Sequence, residues 1–126
     1  MKINHIGIHE SVKQVFPPGK LQNYLSTSQA DVTVSKVTDR EIESCEAIIT
    51  FDYKDQFINK NIKWLHSIRS GVDNFPFGIL EENGIILTNS TGIHATSVGE
   101  SVIGYMLNFA RLLHRYRWSQ RERKWD

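Results

Sequence analysis

The 126-residue sequence has a single cysteine, Cys45, so it cannot form a disulfide within the chain, and this usage fits the reducing cytoplasm. Long apolar runs are also absent: stretches such as Gly84–Leu87 fall far short of the roughly 20 apolar residues that span a bilayer. The first residues lack the apolar segment of a secretory signal. These absences predict a cytoplasmic protein that has no membrane segment.

Two kinds of binding motif are missing as well. The sequence contains neither G-x-G-x-x-G nor G-x-x-x-x-G-K-[ST], so it lacks the usual glycine-rich cradle for the phosphates of a nucleotide. His5 and His9 lie four residues apart, on one face of a predicted strand, but no cysteine or carboxylate in the pattern completes a set of metal ligands. The sequence therefore predicts no metal site.

The composition is that of one globular domain, with 40% hydrophobic residues, 23% charged residues and a net charge of +1. Residues 111–126 hold six basic and two acidic residues, so they carry +4 and the rest of the chain −3. A basic segment of this kind complements the negative end of a helix or contacts a partner. The alternative is a nucleic-acid footprint, which the absence of other basic clusters disfavours, and we predict no nucleic-acid partner.

Short β-branched runs alternate with helical patterns along the first two thirds of the chain. Because 12 to 25 residues separate the runs, they predict right-handed crossovers and a parallel sheet. Ala47–Phe51 is apolar on both faces and so predicts a central strand. The fold class predicted is α/β, a flavodoxin-like three-layer sandwich with a five-stranded parallel sheet. The predicted strands are Lys2–Ile8, Asp31–Val37, Ala47–Phe51, Trp64–Ile68 and Gly84–Leu87.

Four helical segments are predicted between these strands, and a fifth after them. The four are Leu21–Leu25, a segment capped by Thr38 or Asp39 and running toward Cys45, Asp55–Asn59, and Pro76–Glu82. The fifth, over about 95–122, follows from apolar residues at steps of three and four, from Val98 to Tyr116. At roughly 40 Å this C-terminal helix is longer than so small a sheet can cover, so its apolar stripe predicts a partner beyond this chain.

One loop is a candidate anion site. Ligands of open parallel sheets bind where the strands end at their carboxyl edge, and Ser70-Gly71-Val72 follows the fourth predicted strand. Backbone N–H groups beside a glycine, with Arg69 nearby, would hold a carboxylate. The alternative is a tight turn in which Asp73 caps the next segment.

Five blocks of sequence, in this order and spacing, closely resemble the NAD-dependent D-2-hydroxyacid dehydrogenases, a family that includes D-3-phosphoglycerate dehydrogenase and glyoxylate/hydroxypyruvate reductase. The resemblance is dense over residues 60–126 and limited to strand layout before them. The blocks are Trp64–Asn74, Glu82–Asn89, Thr91–His94, Ser97–Glu100 and Gly104–Leu107 with Arg111.

The resemblance implies a flavodoxin-like substrate domain, an inserted Rossmann domain, and an active site between them that uses NAD. It places Val98 near the nicotinamide, while Gly99 departs from the alanine usual in the family. The residues that it assigns to the substrate are Phe51, Ser70, Gly71 and Val72. The family's catalytic Arg, Glu and His match no position of this sequence, so no catalytic residue is assigned.

The sequence thus predicts an incomplete substrate-binding domain over residues 1–93 and, over 94–126, a linking helix that begins an absent NAD-binding domain. The predicted function is the N-terminal part of an enzyme that transfers a hydride between NAD(H) and a 2-hydroxy or 2-oxo acid, inactive as this fragment. The alternative is a free-standing flavodoxin-like binding or regulatory module without catalysis. The apolar helix also predicts a homodimer or other self-association through residues 98–118.

Overall fold

The computed structural model describes residues 2–12, 17–27 and 31–125. The chain divides into two compact units, Met1–Thr91 and Gly92–Asp126. The first holds the sheet and the second is helical. Asp126, which contributes to the predicted basic segment, lies outside the described residues.

The first unit is built on the predicted five-stranded sheet, in which every pairing is parallel. The strand order is β2-β1-β3-β4-β5, the flavodoxin-like order, and it puts the wholly buried β3 at the centre as the apolar pattern predicts. The fold-class prediction is confirmed. The strands are β1 His5–His9, β2 Thr33–Val37, β3 Ala47–Thr50, β4 Trp64–Ser67 and β5 Ile86–Asn89.

Strand β5 begins two residues later than predicted, because helix α2 (Phe77–Glu82) ends in a Schellman motif. Gly84 has a φ of 65°, and its N–H donates to the Glu81 carbonyl. The N–H of Ile85 donates to the Leu80 carbonyl at 2.9 Å. Gly84 and Ile85 therefore terminate the helix and are not available to the strand.

Helix α1 (Pro18–Thr27) contains the predicted 21–25 segment. The two helices predicted before and after β3 are only single 3₁₀ turns, Ile42–Ser44 and Asp55–Phe57. The Glu41 carboxylate accepts hydrogen bonds from the N–H and the hydroxyl of Thr38, which closes the turn preceding Ile42. Cys45 is already extended and buried, so the chain turns into β3 after one helical turn.

Each face of the sheet has its own apolar core, and the larger is covered by α2 and the two 3₁₀ turns. Gly7 faces this core, where a Cβ would lie 2.7 Å from both Cys45 Sγ and Val37 Cγ2. Close packing at this point therefore requires glycine. The larger core contains Val37, Ile42, Cys45, Ile48, Phe57, Ile62, Leu65, Phe75, Leu80 and Ile85. The smaller contains Ile6, Ile8, Val12, Ala47 and Ile49, with Leu21 and Leu25 of α1 packed against it.

The second unit contains two helices where one was predicted over about 95–122. The long C-terminal helix α3 spans Ala95–Ala110, and α4 (Leu113–Arg121) follows it. The break lies at Leu112, whose φ of 53° is left-handed and ends the α3 hydrogen-bond ladder. No glycine or proline occurs after Gly104, so no residue type in the sequence marks this break. No described helix is both long and apolar enough to cross a membrane.

Candidate functional site

The loop that follows β4 lies at the carboxyl edge of the sheet, where the sequence predicts an anion site. Within the described part of the chain, the backbone N–H groups of Ser70, Gly71 and Val72 donate to no other protein group. The φ of Gly71 is not positive, and a Cβ there would meet only Asp73 Oδ2, at 3.5 Å. The loop thus offers three consecutive hydrogen-bond donors.

The carbonyl groups of the same loop are held by residues at the end of β5. The Ser70 carbonyl accepts hydrogen bonds from Asn89 Nδ2 at 2.6 Å and from the Thr91 hydroxyl at 3.1 Å. The Arg69 carbonyl accepts from the N–H of Ser90 at 3.1 Å. Since β4 and β5 are paired neighbours, these contacts join the two adjacent strand ends.

A cationic side chain is fixed beside the loop by residues that follow β3. Arg69 donates to Asp52 Oδ1 at 2.6 Å, and its guanidinium lies 5.2 Å from the centre of the Phe51 ring. Asn74 donates to the same carboxylate oxygen at 3.3 Å. Both ion-pair partners are about half exposed, so the pair adds little to stability, but it orients the guanidinium. Phe51 and the loop at Ser70 are thereby brought to one edge.

An open pocket of about 180 Å³ lies at this edge, lined by Arg69, Gly71, Asp73 and Asn74. Asp73 does not cap the helix that follows, because the residue preceding α2 is Pro76 and no side chain caps that helix end. The tight-turn alternative is correct in one respect: the N–H of Phe75 donates to the Val72 carbonyl. The capping role for Asp73 was wrong.

A hydrogen-bonded network joins His9 at the end of β1 to Thr50 at the end of β3 through the half-buried Ser11. His9 is 1% exposed, and its Nδ1 and the Ser11 hydroxyl lie 2.8 Å apart. The Ser11 oxygen accepts the N–H of Phe51 at 3.2 Å and contacts the Thr50 hydroxyl. The Thr50 hydroxyl donates to the Asp52 carbonyl at 2.7 Å. This network therefore holds the backbone at 51–52, which in turn carries the partner of Arg69.

The other nitrogen of His9 contacts an ion pair. His9 Nε2 is 2.8 Å from Asp39 Oδ1, and Lys54 Nζ lies 2.7 Å from both oxygens of that carboxylate. Hydrogen bonds from Lys54 and then from His9 lower the pKa of Asp39 below 3.8. Ligand atoms of His9, Glu10 and Asp39 lie within 4.8 Å of one another, but the Lys54 ammonium already occupies both Asp39 oxygens. The arrangement is thus complete as an ion pair.

Two further residues that the sequence analysis names are Cys45 and Val98. The Cys45 thiol is fully buried, and burial raises its pKa above 9.0. Val98 lies near the start of α3, in the second unit, and its side chain is 57% exposed. Its place near a nicotinamide remains a prediction.

Sequence reasoning assigned no role to Asp52, Asn74 or Asn89. Asp52 meets Arg69 only because β3 and β4 are neighbours in the sheet, and Asn89 meets Ser70 only because β4 and β5 are. Asp52 directly follows a predicted strand, so the sequence does predict that it lies at the carboxyl edge. The sequence does not predict which residue each of these side chains contacts.

These features define an open parallel α/β domain whose carboxyl edge carries a cluster of polar loops. The family model for the D-isomer specific 2-hydroxyacid dehydrogenases, catalytic domain, matches residues 9–122. The chain belongs to this family.

Individual relatives agree with that assignment. A putative 2-hydroxyacid dehydrogenase of Haemophilus influenzae is 30% identical over 98 residues, which are 78% of this chain and 31% of the relative. The structure of a phosphoglycerate dehydrogenase from Lactobacillus plantarum matches with a TM-score of 0.51 and 26% identity, over 96% of this chain and 40% of that one. A D-lactate dehydrogenase from Aquifex aeolicus, complexed with NAD and lactic acid, matches in fold with a TM-score of 0.65 at 17% identity, over 98% of this chain and 38% of that one. The chain thus spans 22–31% of the length of three curated relatives that it matches.

Proposed function

We propose that residues 1–93 are the substrate-binding part of an NAD-dependent D-2-hydroxyacid dehydrogenase, which transfers a hydride between NAD(H) and C2 of a 2-hydroxy or 2-oxo acid. The observation that carries the proposal is the row of N–H groups at Ser70, Gly71 and Val72, which have no protein acceptor among the described residues. A carboxylate that accepts backbone N–H donors forms charge-assisted hydrogen bonds, about twice as strong as neutral ones. Family membership supplies the reaction class.

In this proposal each nearby side chain has a role that follows from its position. The loop binds the carboxylate common to all such substrates, and the guanidinium of Arg69 adds positive potential at the loop. Phe51 lies beside the pocket on the side of β3, where its ring contacts the Arg69 guanidinium, and it would contact the substrate from that side. Val98, which the family resemblance places near the nicotinamide, would lie beside that ring when the cofactor is bound.

NAD enters the proposal through the family, as the cofactor that accepts or supplies the hydride. The sequence holds no G-x-G-x-x-G turn, the element that binds a pyrophosphate at a helix N-terminus, so we do not expect these residues alone to hold the dinucleotide. We therefore expect the 126-residue chain alone to bind the acid and not to turn it over.

Two assays test this division of labour. Calorimetric titration should detect D-lactate, and D-lactamide serves as the matched ligand because it has the same shape and no negative charge. Equal binding of the two would contradict a carboxylate site. Mixing the chain with NADH and pyruvate, glyoxylate or hydroxypyruvate should leave the absorbance of NADH unchanged, and measurable oxidation would contradict the expected inactivity.

We also propose that the protein self-associates through residues 98–118, as a homodimer or other oligomer. Support comes from the large apolar side chains of α3 and α4, which are exposed in the described chain. A contiguous apolar surface of this kind marks an interaction site. The exposed side chains include Val98, Val102, Tyr105, Met106, Phe109, Leu113 and Tyr116. We place the protein in the cytoplasm, in keeping with the free thiol of Cys45.

A further inference from the structure

We infer that Asn89 and Thr91 are positioning residues, which aim the N–H of Gly71 at the substrate carboxylate by holding the carbonyl of Ser70. This inference rests on the proposed function and deepens it, since it assigns a role to two residues that contact no substrate. The peptide bond between Ser70 and Gly71 links the two groups rigidly. In a trans peptide unit the C=O and the N–H point in opposite directions, so fixing one fixes the other.

The Ser70 carbonyl is the most strongly held acceptor of the loop. Asn89 Nδ2 lies 2.6 Å from it and the Thr91 hydroxyl 3.1 Å, and the two donors also contact each other at 3.3 Å. The Asn89 amide has a defined orientation, because its Oδ1 accepts the N–H of Thr91 at 3.4 Å. The nitrogen is therefore the atom that faces Ser70, as a carbonyl requires of its partner.

The preceding peptide unit is held in the same manner. The N–H of Ser90 donates to the Arg69 carbonyl, so the N–H of Ser70 also points away from the end of β5. Two successive carbonyls thus face residues 89–91, and the N–H groups of the same peptide units face away from them. Without these contacts an exposed loop beside a glycine would sample other peptide orientations. The end of β5 therefore preorganises the donors before the acid binds.

The test substitutes Asn89→Asp, which keeps the shape of the side chain but replaces the donor with an oxygen that repels the Ser70 carbonyl. The matched control is Asn83→Asp, because Asn83 Nδ2 also donates to a backbone carbonyl, that of Ile79, at 2.8 Å. Thr91→Val and Thr91→Ser form a second pair, in which serine retains the hydroxyl. Thr91 is exposed, so neither substitution should alter the packing of the apolar core.

The first readout is the residual dipolar coupling of the Gly71 N–H in the free 126-residue protein, which reports the direction of that bond. Asn89→Asp should change this coupling, whereas Asn83→Asp should not. The second readout is pyruvate binding by NMR titration: Asn89→Asp should raise Kd by about tenfold or more, the effect of a lost hydrogen bond to a charged group. Thr91→Val should weaken binding in the same direction, and Thr91→Ser should restore it.

The two readouts separate this inference from the proposed function. An unchanged Gly71 coupling with unchanged pyruvate affinity in Asn89→Asp would overturn the inference, while the carboxylate site would stand. A Gly71 coupling that changes in Asn89→Asp, when pyruvate does not bind even to the parent protein, would show that Asn89 orients the loop but would refute the proposed function.

Discussion

Replacing Gly7 with alanine should destabilise the first unit, because the added Cβ has no room in the larger core. It would lie 2.7 Å from Cys45 Sγ and Val37 Cγ2 and 3.0 Å from Ile48 Cδ1. Val37 is β-branched and stiff at χ1, and Cys45 is fully buried, so neither moves aside at low cost. Overpacking of this kind costs about 1–3 kcal/mol. The loss of unfolded-state entropy that normally favours alanine, about 0.4–1 kcal/mol, offsets only part of it.

Urea unfolding followed by circular dichroism measures the change in free energy of unfolding. In thermal unfolding, a loss of 1 kcal/mol should lower Tm by about 4–8 °C in a domain of this size. Gly78→Ala is the control, because Gly78 lies within α2 and a Cβ there meets nothing within 4 Å. That change should stabilise the helix by about 0.5–1 kcal/mol. A Gly7→Ala protein as stable as the parent would refute the packing argument.

Three further predictions concern charge and association. Hydrogen bonds from the Lys63 ammonium, the larger effect, and from the backbone N–H of Asn4 lower the pKa of Glu46 from 4.5 to about 2. The stability that the Glu46 carboxylate contributes is therefore complete above pH 4.5 and is lost as the pH falls toward 2. In Lys63→Met, Tm should therefore fall less between pH 4.5 and pH 2 than it does in the parent protein. Burial lowers the pKa of His66 below 6.5, so its imidazole should titrate below that value by NMR. Because the unfolded chain then binds the proton more readily, stability should decline as the pH falls beneath 6.5. A titration at or above 6.5 would contradict this. Val102→Asp should shift the protein toward monomer in sedimentation velocity, and an unaltered distribution would argue against the α3 surface as the interface.

The sheet could be predicted because its determinants are local. The apolar run at Ala47–Thr50 is buried on both faces, and only a central strand accounts for that pattern. The spacing between strands then favours crossovers and hence parallel pairing. The start of β5 was predicted two residues early because Gly84 reads equally well as a strand residue and as the end of a helix, and the 6→1 hydrogen bond that decides between them forms only in the folded chain.

The C-terminal segment shows where periodicity fails. Apolar residues continue at helical spacing through residues 110–113, yet the helix ends at Ala110 and a left-handed Leu112 precedes α4. Periodicity reports which side chains share a face and is insensitive to a single residue that leaves the helical conformation.

The candidate site was predicted only in part. Gly71 directly after a strand marks the loop, and the carboxyl-edge rule places it at a binding edge. The groups that orient the loop could not be predicted from the sequence, because Asn89 is 19 residues from Ser70 and Asp52 is 17 residues from Arg69. Such contacts depend on strand order and register, which the sequence pattern does not specify residue by residue.

The central claim, that the row of N–H groups after β4 binds a carboxylate, is tested most directly by a residue-resolved ¹H–¹⁵N map of the 126-residue protein during titration with pyruvate. The account predicts the largest shifts at the amides of Ser70, Gly71 and Val72, saturating together with one Kd. Shifts concentrated instead at the basic residues Arg117, Arg123 and Lys124, with the loop amides unmoved, would contradict it.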